Sequence, residues 1–338
     1  MHKRQIPIIY AVILLAVAGV IGWRIGSAQS SAAASVGLVT VRENSPQYKF
    51  TNPLLFNDTS KDLFNQEFQP LNDSLHAFIS DKEKDGTVDA ISAYFRYLNS
   101  GHWTGINEDE KYEPSSMLKV LVMMAALKLA TDDPNFLLKQ LSYSGPDSAG
   151  QYYKPSDGLT KGSYSIETLI GDMIIYSDNG ADEALLSDPQ INQEFQDLSN
   201  TFHLPLRTSV SGPVPDFMSA KSYSVLFRAL YNGSIFSADL CERILSLLAS
   251  TTFKHGLVAG VPPDTVVSHK FGENTNYDPS TGGLINRELH DCGIVYYPKH
   301  PYLLCVMTKG DDFSNLESVI SGLSKITYNF VQHEMASN

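Results

Sequence analysis

The chain has 338 residues, 43% of them hydrophobic and 18% charged, which is ample for a buried core in one large domain or two modest ones. A net charge of −12 excludes nucleic acid as a partner, since that recognition needs a basic footprint.

Met1-His2-Lys3-Arg4 is a short basic start, and residues 6–23 carry no charge at all. At ~1.5 Å per residue a helix of that length just spans a bilayer, and the basic flank favours a cytoplasmic N-terminus. The pattern predicts a membrane anchor over residues 1–25. A cleaved signal peptide is the competing reading, with Ser27-Ala28 or Ala32-Ala33-Ala34 supplying small residues for a peptidase. Either way the rest of the chain is expected outside the cytoplasm: single-pass and membrane-bound in the first case, secreted in the second. Residues 26–70, rich in Ser and Ala with scattered Asn, Pro and Gln, read as an extracytoplasmic linker with a short ordered portion around residues 49–56.

A domain over residues 71–338 follows. Leu71, Leu75, Phe78 and Ile79 recur at helical spacing, with Asn72 or Asp73 as cap, until Asp85-Gly86 breaks the pattern. Residues 88–98 and 102–106 read as two strands around the turn Asn99-Ser100-Gly101. Residues 120–127 are apolar without exception, so their helix should run through the core. A short helix and a Gly/Pro/Tyr-rich loop occupy residues 131–162. Ser165-Ile166-Glu167 then caps a helix that carries Leu169, Ile170, Met173 and Ile174. Further helices are expected at 181–186, 191–198, 221–230 and 238–248, then strands at 265–269, 292–297 and 302–308, and a last helix at 316–331. This order predicts an α/β fold: a mainly antiparallel five-stranded sheet flanked by helices, the first and last packed together on one face and the helical block walling a cleft.

Three short motifs carry chemistry. Ser116 and Lys119 stand three apart, hence on one helical face, at a helix mouth where backbone N–H groups are unpaired. A lysine buried among apolar neighbours can lose its charge and accept the serine's proton. One such serine–lysine spacing arises by chance in a chain this rich in serine, but two companions follow in order: Ser177-Asp178-Asn179 and Lys270-Phe271-Gly272. That set resembles the class A serine β-lactamases and penicillin-binding proteins. The segments Met173-Ile174-Ile175-Tyr176-Ser177-Asp178-Asn179-Gly180-Ala181, Val267-Ser268-His269-Lys270-Phe271-Gly272 and Gly293-Ile294-Val295-Tyr296-Tyr297-Pro298 are the most similar.

The resemblance implies an acyl-enzyme on Ser116, formed from a β-lactam or a peptidoglycan peptide. Lys119 would be the general base, or the partner of a water that is. Ser177 would relay a proton to the leaving nitrogen beside Lys270, and Asn179 would position Lys119 and the substrate amide. Lys270 would also attract the substrate carboxylate. Backbone N–H groups of Ser116 and Glu273 would form an oxyanion hole, and Gly272 would admit the substrate backbone. Three departures stand out. Phe271 replaces a hydroxyl residue, and Tyr302 falls where an arginine is common. The loop at residues 206–217 lacks the deacylating glutamate; Asp216, its sole carboxylate, is the one candidate to take that role if the loop folds back over Ser116, and a cap or turn role is the expected one.

The nine histidines show no metal-ligand spacing, and neither metal nor cofactor is expected. Cys292 and Cys305 would face each other across the last hairpin, and separate buried thiols are the expected state. The sequence therefore points to a membrane-anchored extracytoplasmic serine hydrolase. β-Lactam hydrolysis leads. The alternatives are a D-Ala-D-Ala carboxypeptidase or esterase-like relative, and a sensor that acylates but deacylates poorly. Without the loop glutamate, acylation is expected to outpace deacylation.

Overall fold

The computed structural model describes residues 40–42, 46–57, 66–86, 88–146, 151–154, 158–206 and 216–335. The expected anchor at residues 6–23, much of the linker and residues 207–215 lie outside them. No helix among the described residues is long and apolar enough to cross a membrane.

In chain order the elements are β1 (Thr40–Arg42), β2 (Leu54–Asn57), α1 (Gln69–Lys84), β3 (Ala90–Tyr97), β4 (Trp103–Ile106) and α2 (Lys119–Asp132). Next come β5 (Gln140–Tyr143), β6 (Gly162–Ser165), α3 (Ile166–Ile175), α4 (Asn179–Leu186) and α5 (Pro189–Thr201). The chain closes with α6 (Ala220–Tyr223), α7 (Val225–Tyr231), α8 (Ala238–Leu248), β7 (Val267–Tyr277), β8 (Leu284–Val295), β9 (Tyr302–Gly310) and α9 (Phe313–Phe330). The main sheet runs β4-β3-β9-β8-β7, antiparallel throughout. This is the expected five-stranded arrangement, with β7 on an edge.

The sheet divides the core in two. On one face Leu71, Leu75 and Ile79 of α1 meet Leu316, Val319 and Leu323 of α9 above Phe95, Leu304 and Val306. The helices approach closely at Gly322, where a β-carbon would come within 2.5 Å of the Phe78 ring. On the other face α2 runs through the middle of the helical block with residues 119–127 all buried, as its unbroken apolar sequence requires.

Several expectations need correction. Neither Asn72 nor Asp73 caps α1. Its N-cap is Phe68, at the end of a 3-10 turn, and Asn72 is spent on Thr104 Oγ1 (2.9 Å) and the Gly105 carbonyl (3.0 Å). The β7–β8 hairpin reaches far beyond residues 269 and 292. Its outer half is polar, held by the ladder and by side-chain amide bonds such as Asn276 to Asn286 (2.8 Å), so no hydrophobic alternation marks it. The small β5–β6 ribbon is invisible for the same reason. Cys292 and Cys305, expected as separate thiols, form a disulfide, because the β8–β9 register sets them directly opposite with Cα atoms 4.0 Å apart.

The supposed linker is also partly built into the domain. The compact unit begins at Thr40, not near residue 71. Phe50 is buried against Tyr296, and the Glu242 carboxylate on α8 accepts from the backbone N–H groups of Lys49 (2.6 Å), Phe50 (2.9 Å) and Thr51 (2.8 Å). A carboxylate gathering three backbone donors fixes a segment that has too few apolar residues to fix itself. Glu242→Ala is therefore expected to cost about 1–3 kcal/mol, seen as a lower denaturation midpoint at unchanged m-value. An unaltered midpoint would mean that residues 49–51 do not depend on this clamp.

Candidate active site

The site begins with a strained turn. Ser115 has φ 49°, a left-handed conformation that costs a residue with a β-carbon ~1–2 kcal/mol. Ser116 follows in the 3-10 turn Ser115–Leu118 that leads into α2, so the expected helix mouth is a tighter turn than an α-helical one. Residue 113 is gripped just before it. Its N–H donates to Glu288 Oε2 (3.0 Å) and its carbonyl meets His290 Nε2 (3.0 Å), both buried on β8. Burial pushes the Glu288 carboxyl up, but His290, Lys309 and the residue-113 N–H outweigh it and leave the group below its ordinary range.

β7 presses against this turn at Gly272. A β-carbon there would lie 2.3 Å from the Pro114 carbonyl oxygen and 2.9 Å from Met117 Cγ. The glycine is thus required by the seating of the Ser116 turn itself, a reason distinct from the expected approach of substrate.

Lys119, 2% exposed, brings Nζ to Ser116 Oγ (3.0 Å), the Ser177 carbonyl (2.7 Å) and Asn179 Oδ1 (2.6 Å). Burial lowers its pKa to about 8, against the opposing pull of Asp182, Asp178 and Glu273. Lys270, fully buried, reaches Ser177 Oγ (2.8 Å) and the Phe271 carbonyl (2.9 Å). Burial, and then the charge of Lys119, holds its pKa well below the lysine range. Ser177 also has a left-handed backbone, φ 59°. Asp178 explains how that turn is held: Oδ1 caps α4 through the Ala181 N–H (2.6 Å) and Oδ2 accepts from the Tyr143 hydroxyl (3.1 Å). The triplet Ser177-Asp178-Asn179 is a helix-starting turn as well as a set of polar groups aimed at Ser116.

Ser116, Lys119, Gln151, Asn179, Asp182 and Glu273 line a cleft of about 360 Å³. The Glu273 carboxylate accepts from the backbone N–H groups of Tyr152 (2.9 Å) and Tyr153 (3.0 Å), and Gln151 Nε2 donates to the Ser177 carbonyl (3.3 Å). The structure thus unites Ser116, Lys119, Ser177, Asn179, Lys270, Gly272 and Glu273. It does not bring in Asp216, which pairs with Lys309 and is absent from the cleft lining. Tyr302 is buried against Phe95, so it offers nothing to a ligand. The Phe271 ring stacks on Phe253 (4.1 Å between centroids) and lies 4.2 Å from Lys270 Nζ, an aromatic wall in place of a hydroxyl.

Sequence reasoning missed Gln151, Glu288, His290 and Asp182. For Asp182 a signal existed, since it stands three residues after Asn179 and shares its helical face. Among the described residues no group of three or more His, Cys, Asp or Glu side chains is placed to hold a metal ion.

The profile of the beta-lactamase enzyme family matches residues 70–331. A beta-lactamase from Streptomyces lavendulae is 22% identical over 236 residues, covering 66% of this chain and 74% of that protein. A mutant of PBP-A, solved as an acyl-enzyme complex with penicillin G, superposes with a TM-score of 0.61 at 20% identity, over 78% of this chain and 96% of its own. A class A beta-lactamase from Mycobacterium abscessus gives 0.61 at 19% identity, over 78% and 99%. At these identities the structural likenesses show the fold.

With Lys119 as the acceptor of the Ser116 proton, only its neutral form serves, and that form is lost as pH falls through about 8. The rate of Ser116 acylation by an activated ester should therefore fall about tenfold per pH unit below about 7 and level off above about 9. A rate flat between those limits would assign the proton to another acceptor.

Proposed function

The chain belongs to the beta-lactamase enzyme family and is a serine β-lactamase-like hydrolase, and we propose that it opens β-lactam rings through an acyl-enzyme on Ser116. One observation carries this reading: the two buried lysines each touch a hydroxyl, Lys119 at Ser116 and Lys270 at Ser177, and Lys119 also touches the Ser177 carbonyl. Neutral Lys119 takes the Ser116 proton as Oγ attacks the lactam carbonyl carbon. Negative charge moves to the carbonyl oxygen, facing the backbone N–H groups of Ser116 and Glu273. Collapse breaks the C–N bond, and the departing nitrogen receives a proton through Ser177, whose hydroxyl Lys270 orients. Lys270 also supplies positive potential for a substrate carboxylate.

A second reading, in which the ester persists and the protein acts as a sensor or slow peptidase, draws support from Asp216. Its pairing with Lys309 removes from the cleft the loop carboxylate that the sequence offered. Turnover of a chromogenic cephalosporin favours the first reading, release of D-Ala from a cell-wall peptide favours a carboxypeptidase, and one equivalent of adduct without turnover favours the sensor. In all three, Ser116→Ala should abolish covalent labelling by a fluorescent penicillin while leaving the melting temperature near that of the parent, because the half-buried hydroxyl carries little packing. Labelling that persists, or moves to Ser115, would sink the assignment.

We further propose that residues 6–23 anchor the protein in the membrane with the catalytic unit on the extracytoplasmic side, supported by their uncharged run behind a basic start. The full-length protein should then sediment with membranes and resist carbonate extraction. A mature N-terminus between Ala28 and Ser35 would make the segment a cleaved signal instead.

A further inference from the structure

Resting on the acyl-enzyme reading above, we propose that Asp182 on α4 is the general base of deacylation, holding the water that hydrolyses the Ser116 ester. Three features of the structure lead there. First, Asp182 lines the same cleft as Ser116, Lys119 and Asn179, the space where an acyl group on Ser116 would sit. Second, the helix places it one turn beyond Asn179, on the face that meets Lys119. Third, its Oδ1 is buried without a hydrogen-bond partner, and no ion pair joins Asp182 to a lysine or arginine among the described residues.

A structural role does not account for this carboxylate. The cap of α4 is Asp178, and among the described residues Asp182 neither caps a second element nor pairs with a cation. A buried acceptor left open is expensive unless something fills it, and a polar cleft wall is where a water with two or three partners belongs. Asp182 and Lys119 influence each other's charge although no ion pair within 4.0 Å joins them among the described residues. Burial raises the Asp182 pKa above its ordinary range, opposed by the charges of Lys119 and Lys270.

The step balances as follows. Water gives one proton to the Asp182 carboxylate while its oxygen bonds to the acyl carbonyl carbon. The resulting tetrahedral centre expels Ser116 Oγ, which takes the proton now on Asp182 through neutral Lys119. A carboxylic acid leaves, and Asp182 and Lys119 end as they began. The water therefore enters from α4, so the loop after α5 need contribute no carboxylate.

The test is intact-mass analysis and turnover of a chromogenic cephalosporin by the full chain, with parent and Asp182→Asn compared. The expected result is that the parent turns over, while Asp182→Asn still forms one equivalent of Ser116 adduct at a comparable rate and then releases it ~10²–10³ times more slowly. Asp182→Glu should recover part of the release rate, which a merely structural role would not predict. Equal release by parent and Asp182→Asn would overturn the proposal, as would an equal fall in acylation and release, which would make Asp182 a positioning residue for Lys119. A parent that stays acylated without turnover would overturn it too. A parent that forms no adduct would instead overturn the acyl-enzyme reading beneath it, so the two failures are distinguishable.

Discussion

Two ammonium groups brought together in the interior are the constraint on which the rest of the structure depends. Lys119 and Lys270 converge on Ser177, one through its carbonyl and the other through its hydroxyl. Each loses hydration on burial, and each raises the cost of charging the other. The protein meets this cost with acceptors and with charge. Ser177, Asn179 and the Phe271 carbonyl accept directly, and Asp178, Asp182 and Glu273 pull the lysines back towards their charged state. The result is a pair of amines below the ordinary lysine range, with Lys119 at about 8, where a proton can be accepted near ordinary pH.

Such a pair needs rigid supports, and the fold supplies one for each. Lys119 stands at the start of a helix buried along most of its length, so its stem cannot swing towards water. Lys270 sits on an edge strand whose neighbour glycine lets the strand touch the serine turn. The turn is fixed from behind by Glu288 and His290, which bind both backbone groups of residue 113. Left-handed backbone at Ser115 and Ser177 therefore persists because the surroundings over-determine it: a glycine contact, a carboxylate–histidine pair and the Asp178 cap. Strain falls on Ser115, beside the Ser116 hydroxyl that Lys119 touches, and on Ser177, whose hydroxyl Lys270 touches.

How much of this was legible follows from what each feature depends on. The five-stranded antiparallel sheet and the central helix were readable because apolar periodicity reports burial, and residues 120–127 admit no other reading. The three short motifs were readable as sequence, and the structure brings their side chains together. What stayed hidden rests on contacts distant in sequence. The polar half of the β7–β8 hairpin is held by backbone ladders, which leave no mark on side-chain pattern. Glu242 clamping residues 49–51 joins points nearly two hundred residues apart. The disulfide depended on register, and register is fixed only once both strands are placed. Asp216 illustrates the opposite error. It was singled out for its position in a loop, but a neighbouring lysine on β9 decides where its carboxylate goes.

The proposed replacement of Asp216 by Asp182 as the deacylating base has a physical logic beyond the count of carboxylates. A base borne on a loop must be carried to the cleft by whatever holds that loop, whereas a base on α4 is set by the same helix that sets Asn179 and hence Lys119. The geometry of proton acceptor, amide and water is then fixed by one rigid element, and an error in one is shared by the others. Such a base also stays within the field of both lysines through every step, so the charge it gains or loses is felt where Ser116 must be reprotonated. The cost is that the carboxylate cannot be withdrawn when an acyl group with a bulky substituent needs its space. A helix-borne base therefore favours acyl groups that leave the α4 wall clear, and the cleft's tolerance for substituents should be narrower on that side than towards the exposed end of the β7–β8 hairpin, where Tyr277 stands open to solvent.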